Sequence, residues 1–385
     1  MNRPLNNIYP FTIIAKPVSG ICNLNCKYCY YVSKPKELYP QVKSFLMTDE
    51  TLSSFIKQYI EAMPKYCSFH WQGGEPLLAG KDFFKKVVSL QNTYRLPNQI
   101  IMNALQTNGT LLDEEWCNFF RENHFLIGIS IDGAPQWHDY YRKDRNGNNT
   151  FYQTWAGLEL LKKTGVDFNV LVTLNNRNIS HGGNIYRYFT NRNIRHLQFI
   201  PIVERTKDGR IADFSCNAEQ YGKFLLETFE IWFNRDIGKV SVRFFDNVIH
   251  TILYGQSEMC CYARRCANAF VLEFNGDLYV CDHFVFPEWK IGNILETPLV
   301  ELLQSPKIEE FAKLKTELPN VCKDCEFLNY CWSGCPKHHI PSDTSAKRVN
   351  YLCQSYKMFF SKSLDKFEVL ARHLISSGVS NNLIT

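Results

Sequence analysis

As far as about residue 200, apolar and polar positions alternate between two patterns. Short runs rich in β-branched and aromatic residues predict strands at Phe11–Lys16, Cys67–Trp71, Ile100–Gln106, Phe125–Ile131, Phe168–Leu174 and His196–Ile200. Longer stretches with apolar residues three and four apart predict amphipathic helices at Asp49–Ala62, Lys81–Tyr94, Asp113–Glu122, Phe151–Lys163 and Ser180–Thr190. This alternation reads as six β/α units, a parallel sheet with crossover helices, and the expected fold class is α/β. Several strands run into Gly or Asn: Gly73–Gly74, Asn108–Gly109, Asp132–Gly133, Asn175–Asn176. In β/α barrels the chemistry sits at these C-terminal strand ends.

After Val203 the pattern changes. A helix-like stretch at Tyr221–Asn234 precedes a cysteine-dense region. Within it, Val271–Val280 predicts a hairpin, with Asn275-Gly276 as the turn between short apolar strands. A domain boundary is expected at about 235–240, giving domains 1–235 and 236–375, the second ending in a helix. No internal repeat or low-complexity segment is present.

Composition narrows the function class. A chain of 385 residues, 45% hydrophobic and 21% charged, has room for a large core and more than one domain. The net charge of +5 is mild, and no dense Lys/Arg run points to nucleic acid. The N-terminal segment MNRPLNNIYPFTIIAKP lacks the apolar stretch of a secretory signal. No apolar run approaches the roughly 18 residues of a membrane helix. A cytoplasmic protein without a membrane partner is expected, and nothing demands more than a monomer. In a reducing compartment, 15 cysteines point to metal rather than to disulfides.

Cys22, Cys26 and Cys29 form C-x3-C-x2-C directly after the first strand. Three thiolates on one loop can hold three irons of a [4Fe–4S] cube and leave the fourth open to a small molecule. A zinc knuckle or unrelated cysteines are the plainer alternatives. The spacing resembles that of the radical S-adenosylmethionine superfamily, in which the open iron chelates the methionine amino and carboxylate groups. The resemblance implies an adenine-side place for Tyr28, and a Gly74 backbone facing the methionine amino group within Trp71-Gln72-Gly73-Gly74-Glu75-Pro76. It also implies a ribose contact for Ser130, a carboxylate-side cation in Arg142 and an adenine-side contact for Leu197. Ordinary readings compete: a turn former for Ser130, a surface ion pair for Arg142, core packing for Leu197.

A second set follows: Cys260 and Cys266, then Cys281, then Cys322, Cys325, Cys331, Cys335 and Cys353. Eight thiolates suffice for two fully ligated [4Fe–4S] cubes. The arrangement resembles the SPASM auxiliary-cluster domain. That resemblance implies one cluster on Cys260, Cys266, Cys281 and Cys335, and the other on Cys322, Cys325, Cys331 and Cys353. Spacing does not decide this crossing. A structural zinc site is the competing reading. Cys67, Cys117, Cys216 and Cys261 read as buried small hydrophobes or free thiols, with Cys261 a possible substitute ligand beside Cys260.

From Lys16 to about Phe360 the chain resembles the anaerobic sulfatase-maturating enzymes. The segments that carry this are KPVSGICNLNCKYCYY, WQGGEP, LQTNGTLLDEEWCNFF, GISIDG, LQFIPIVER, FNGDLYVCDHFVFPEWKIGNI and NYLCQSYKMFF. The resemblance implies a partial (β/α)6 TIM-like barrel followed by a SPASM domain with two clusters, three [4Fe–4S] clusters in all. It implies oxidation of a Cys or Ser in an unfolded or nascent sulfatase segment to Cα-formylglycine. In that chemistry a 5′-deoxyadenosyl radical, made by reductive cleavage of S-adenosylmethionine, takes a hydrogen from the target Cβ. An electron donor such as flavodoxin or ferredoxin is expected. The base implied is Asp282, beside Cys281. An anionic neighbour and partial shielding predict a raised pKa for it. Asp246 is the runner-up base, ahead of His283 and Glu75. Two other readings stay open: another SPASM peptide-modifying enzyme, such as a thioether cross-linking maturase, and a non-catalytic electron carrier or zinc-stabilised binding protein.

Overall fold

The computed structural model describes residues 11–342 and 345–377. The first ten residues of the N-terminal segment considered above lie outside them. The chain forms two compact units, neither continuous in sequence. One comprises the chain up to Ile131, His138–Val170 and Ala267–Ala312; the other comprises Asp132–Trp137, Leu171–Cys266 and the chain from Lys313 onward.

The first unit is built on parallel strands β1 (Thr12–Ala15), β2 (Tyr66–Trp71), β3 (Ile100–Thr107) and β4 (Phe125–Ser130), paired in chain order. Each falls within two residues of its sequence expectation. Alternation shows directly in burial: Cys67, Phe69 and Trp71 of β2 are buried, as are Asn103, Leu105 and Thr107 of β3, while the residues between them are less so. The buried face meets helices Asp49–Ala62 and Lys81–Tyr94, whose bounds match the apolar periodicity, and Glu114–Glu122. Side-chain caps start two of the three: Thr48 accepts from Thr51 N–H and Asp113 from Trp116 N–H. Between sheet and helices runs an aromatic layer. Phe55 stacks on Tyr59 at 5.6 Å, and Trp71 meets Phe84 edge-on at 5.7 Å. Polar groups buried here are paired: Asn103 exchanges amide hydrogen bonds with Gln91, each 2.9 Å, and accepts from Trp71 Nε1 at 2.9 Å.

The predicted hairpin forms as β8 (Ala269–Leu272) and β9 (Asp277–Tyr279), with β5 (Phe168–Leu174), β6 (His196–Pro201) and β7 (Ser241–Val242) preceding it in the chain. Gly276 takes φ +88 in its turn. Unforeseen is its place: β8 pairs in parallel with β1, Ala15 opposite Leu272, and β10 (Lys290–Asn293) adds antiparallel to β9. Ala15 and Leu272, 257 residues apart along the chain, thus share a sheet.

β5 crosses from one unit to the other; in the second unit β6 and β7 pair in parallel. This unit is otherwise helical, with Gly182–Thr190, Ala218–Arg235, Arg243–Tyr254 and the long Cys353–Ser376. Phe229 centres the packing, 4.7 Å from Phe367 and 5.5 Å from Phe245. Gly222 permits the close approach of the last helix: a Cβ there would stand 3.1 Å from Ser355 Cα. No helix among the described residues is long and apolar enough to cross a membrane.

Candidate active site

Cys22, Cys26 and Cys29 lie half-buried on the loop after β1, none of them in a disulfide. Leu24 N–H donates to Cys22 Sγ at 3.3 Å, and Asn108 Nδ2 lies 3.7 Å from the same sulfur. Arg145 Nε donates to Cys22 O at 2.7 Å, and Cys29 N–H to Cys26 O at 3.0 Å. Burial pushes the Cys22 thiol up to about 11, with the Leu24 bond opposing it. Such a group gives up its proton on binding metal.

Gly73 and Gly74 follow β2 and lie against the backbone that leads into this loop. Gly74 N–H donates to Ser19 O at 2.7 Å and Glu75 N–H to Ile21 O at 2.8 Å. A Cβ on Gly74 would stand 2.0 Å from Ile21 O, and one on Gly73, at φ +152, 2.6 Å from Ser19 O. Contact between two chain segments therefore requires both glycines, whatever ligand they also face. Glu75 is wholly buried. Its Oε1 accepts from Leu77 N–H at 3.1 Å and from Thr107 Oγ1 at 2.9 Å, and its Oε2 from Asn108 N–H at 2.8 Å. Burial still pushes its carboxyl up to about 7. With every oxygen engaged, Glu75 ties the β2 loop to the end of β3.

Tyr28 and Arg142 are brought together, both buried, with the guanidinium 5.6 Å from the ring centroid. Ser130 ends β4 and accepts from Gln106 Nε2 at 2.9 Å. Leu197 belongs to the second unit, buried in β6 and paired with Val242 of β7. Asp246, also in the second unit, sits in the first turn of Arg243–Tyr254 and accepts from the Ser241 hydroxyl.

Asp282 follows Cys281 just beyond β9. The Tyr30 hydroxyl donates to its Oδ2, and Lys16 Nζ lies 2.6 Å from its Oδ1. Lys16 is 1% exposed, its ammonium 4.3 Å above the Tyr31 ring, and the Tyr31 hydroxyl donates to buried Glu273. The His283 ring lies 5.0 Å from that of Tyr30. Burial, then Asp282, then the Cys29 and Cys281 thiols push the Tyr30 hydroxyl well up, so the phenol stays protonated and donates. The raised pKa predicted for Asp282 is corrected here. Burial does push it up, but the Lys16 ammonium, His283 and the Tyr30 bond together hold it below the ordinary carboxylate value. Lys16, Tyr30, Tyr31 and Glu273 were not singled out from sequence, although all but Glu273 lie in the segment KPVSGICNLNCKYCYY.

In the second unit Cys322, Cys325, Cys331 and Cys353 line one cavity together with Phe327, Leu328 and Tyr356. Burial pushes Cys331 up to about 12, with Cys322, Cys353 and Cys325 adding to it. Cys260, Cys266 and Cys335 form a separate group: behind burial, Cys335 and Cys260 raise Cys266, and Cys260 raises Cys335. Cys67, Cys117 and Cys216 are buried in the two cores. Among the described residues no three His, Cys, Asp or Glu side chains converge as ligands of a single ion. Four thiols around the cavity of Cys322, Cys325, Cys331 and Cys353 suit an iron–sulfur cube better than one tetrahedral zinc.

Comparison with known proteins decides the family. A radical SAM superfamily profile matches residues 17–189, and an iron–sulfur cluster-binding SPASM profile matches residues 260–326. The chain is 39% identical to the serine-type anaerobic sulfatase-maturating enzyme of Bacteroides thetaiotaomicron, over 97% of this chain and 94% of that one. The chain belongs to the anaerobic sulfatase-maturating enzymes. Within this family it stands nearly as close to the cysteine-type enzyme of Clostridium perfringens, 38% identical over 95% of this chain and 99% of that one. The solved structure of native anSMEcpe with bound AdoMet and Cp18Cys peptide superposes with a TM-score of 0.87 at 37% identity, covering 95% of this chain and all of that one.

Proposed function

We propose that this chain oxidises a Cys or Ser side chain of a sulfatase polypeptide to Cα-formylglycine, using S-adenosylmethionine and three [4Fe–4S] clusters. The observation that carries the reading is the Asp282 carboxylate, fixed by Lys16 and Tyr30 immediately beside Cys281. Cys22, Cys26 and Cys29 would hold the cluster with the open iron. Tyr28, Gly74, Ser130, Arg142 and Leu197 would contact S-adenosylmethionine. Cys260, Cys266, Cys281 and Cys335 would hold one auxiliary cluster, and Cys322, Cys325, Cys331 and Cys353 the other. Together the bound groups supply hydrogen abstraction and electron uptake; the protein supplies orientation, shielding and proton transfer.

Asp282 is the proton acceptor in this reading. Ionised at neutral pH, it takes the proton released from the substrate thiol or hydroxyl as the aldehyde oxidation level is reached. Lys16 keeps it charged and Tyr30 fixes its direction. Glu75, with both oxygens engaged by the backbone and Thr107, positions rather than reacts. The domains are read as 1–235 for S-adenosylmethionine and 236–375 for the auxiliary clusters. A cytoplasmic monomer served by flavodoxin or ferredoxin completes the proposal.

The test is anaerobic incubation of reconstituted, reduced protein with S-adenosylmethionine and sulfatase-derived peptides, followed by mass spectrometry. A Cys peptide lighter by about 18 Da, or a Ser peptide by about 2 Da, is the expected mass change of conversion to an aldehyde. Unmodified peptides beside abundant 5′-deoxyadenosine would move the enzyme to another peptide substrate, such as a thioether cross-linking target.

A further inference from the structure

Lys315 closes the helix Pro306–Thr316 and is 1% exposed. Its ammonium donates to Cys260 O at 3.2 Å and to Cys261 O at 2.6 Å. Both acceptors are neutral carbonyls, and no carboxylate pairs with it among the described residues. An ammonium removed from water without a counter-ion is strongly disfavoured. Two carbonyls do not remove that cost, and one of its three N–H groups is left over. The groups that could carry the missing negative charge are cysteines. Cys260 and Cys261 are the residues whose backbone it holds, and Cys260 groups with Cys266 and Cys335.

We propose that Lys315 is the fixed counter-charge of the iron–sulfur site on Cys260, Cys266 and Cys335, holding its anionic charge in place and raising its reduction potential. This rests on the ligand assignment under Proposed function. Thiolate-held clusters are anionic, and each added electron makes them more so. A desolvated cation nearby therefore favours the reduced form over the oxidised one. That is the direction an electron acceptor needs. The bonds to two successive carbonyls also pin the turn that carries Cys260, so the charge is set at a fixed place. Lys357 offers an internal contrast. It lines the cavity of Cys322, Cys325, Cys331 and Cys353 but is exposed, where water screens it.

The experiment compares fully reconstituted wild-type chain with Lys315→Gln, Lys315→Arg and Lys357→Gln. Iron and sulfide are counted, and potentials are read by EPR-monitored redox titration, with the open cluster identified by its response to S-adenosylmethionine. Wild-type protein holding only about four irons would sink the ligand assignment itself, independently of Lys315. With about twelve irons bound, Lys315→Gln should move one auxiliary signal to lower potential, Lys315→Arg should restore it, and Lys357→Gln should move its signal less. Loss of about four irons in Lys315→Gln alone, retained in Lys315→Arg, supports the same role. Full iron with unchanged potentials in Lys315→Gln overturns it. So does an equal loss, or an equal shift, in the Gln and Arg variants, which would reduce Lys315 to a backbone tie.

Discussion

A carboxylate that is to accept a proton must be ionised when substrate arrives, and at Asp282 burial works against this. The Lys16 ammonium at 2.6 Å reverses the balance. Asp282→Asn keeps the shape and loses the proton acceptor. Peptide conversion should fall about 10²–10⁴-fold, the usual worth of a general base, while 5′-deoxyadenosine still forms. Undiminished formylglycine in this variant would remove Asp282 from the chemistry. Glu75 presents the opposite case. Its carboxyl is pushed up from 4.5 to about 7, so the folded chain binds this proton more tightly than the unfolded one. The associated stability is present below pH 4.5 and is lost as pH rises through about 7, a change of about 3 kcal/mol. Glu75→Gln mimics the protonated acid. Its melting temperature should fall less than that of wild-type protein between about pH 6 and pH 8, one unit either side of the titration near 7; parallel curves would show that Glu75 does not titrate in this range.

At the scale of elements, the Gly73–Gly74 turn and the cysteine loop are one construction. Gly74 N–H donates to Ser19 O and the following Glu75 N–H to Ile21 O, which is possible only because no Cβ stands between the two backbones. Gly74→Ala should cost about 3 kcal/mol or more, since the obstruction is backbone and not a movable side chain. It should abolish S-adenosylmethionine cleavage, measured as 5′-deoxyadenosine, along with iron binding on the loop. Normal cleavage would mean that the loop can retreat. The β8–β9 hairpin acts at the same scale. Lys16 N–H donates to Leu272 O at 2.8 Å, so the strand register itself delivers Glu273 and, one short strand later, Asp282 to the neighbourhood of Lys16.

At the scale of the whole molecule, the cysteines fall into groups on different parts of the chain, and these should be separable by mutation. Replacing Cys22, Cys26 and Cys29 with Ala should remove about four irons and all 5′-deoxyadenosine formation. Replacing Cys322 and Cys353 should also remove about four irons but leave S-adenosylmethionine cleavage in place, with formylglycine yield reduced. Iron analysis beside product quantification distinguishes the two. If both variants lost cleavage equally, the groups would not be independent.

Much of this protein was decided by its sequence. The six strands, the helix bounds Asp49–Ala62 and Lys81–Tyr94 and the hairpin turn at Asn275-Gly276 follow from periodicity and turn chemistry, which are local. The C-x3-C-x2-C loop and the glycine pair were legible because they are contiguous. Tertiary structure decided the rest. The parallel pairing of β8 with β1 joins segments that no local pattern links, and with it came the Lys16–Asp282 ion pair that reversed the expected pKa. The association of Cys335 with Cys260 and Cys266, and the burial of Lys315 behind them, likewise lie outside what spacing can say. A residue's propensity and period act over a few neighbours, whereas its electrostatic environment is set by whatever the fold brings within a few ångströms, at any separation along the chain.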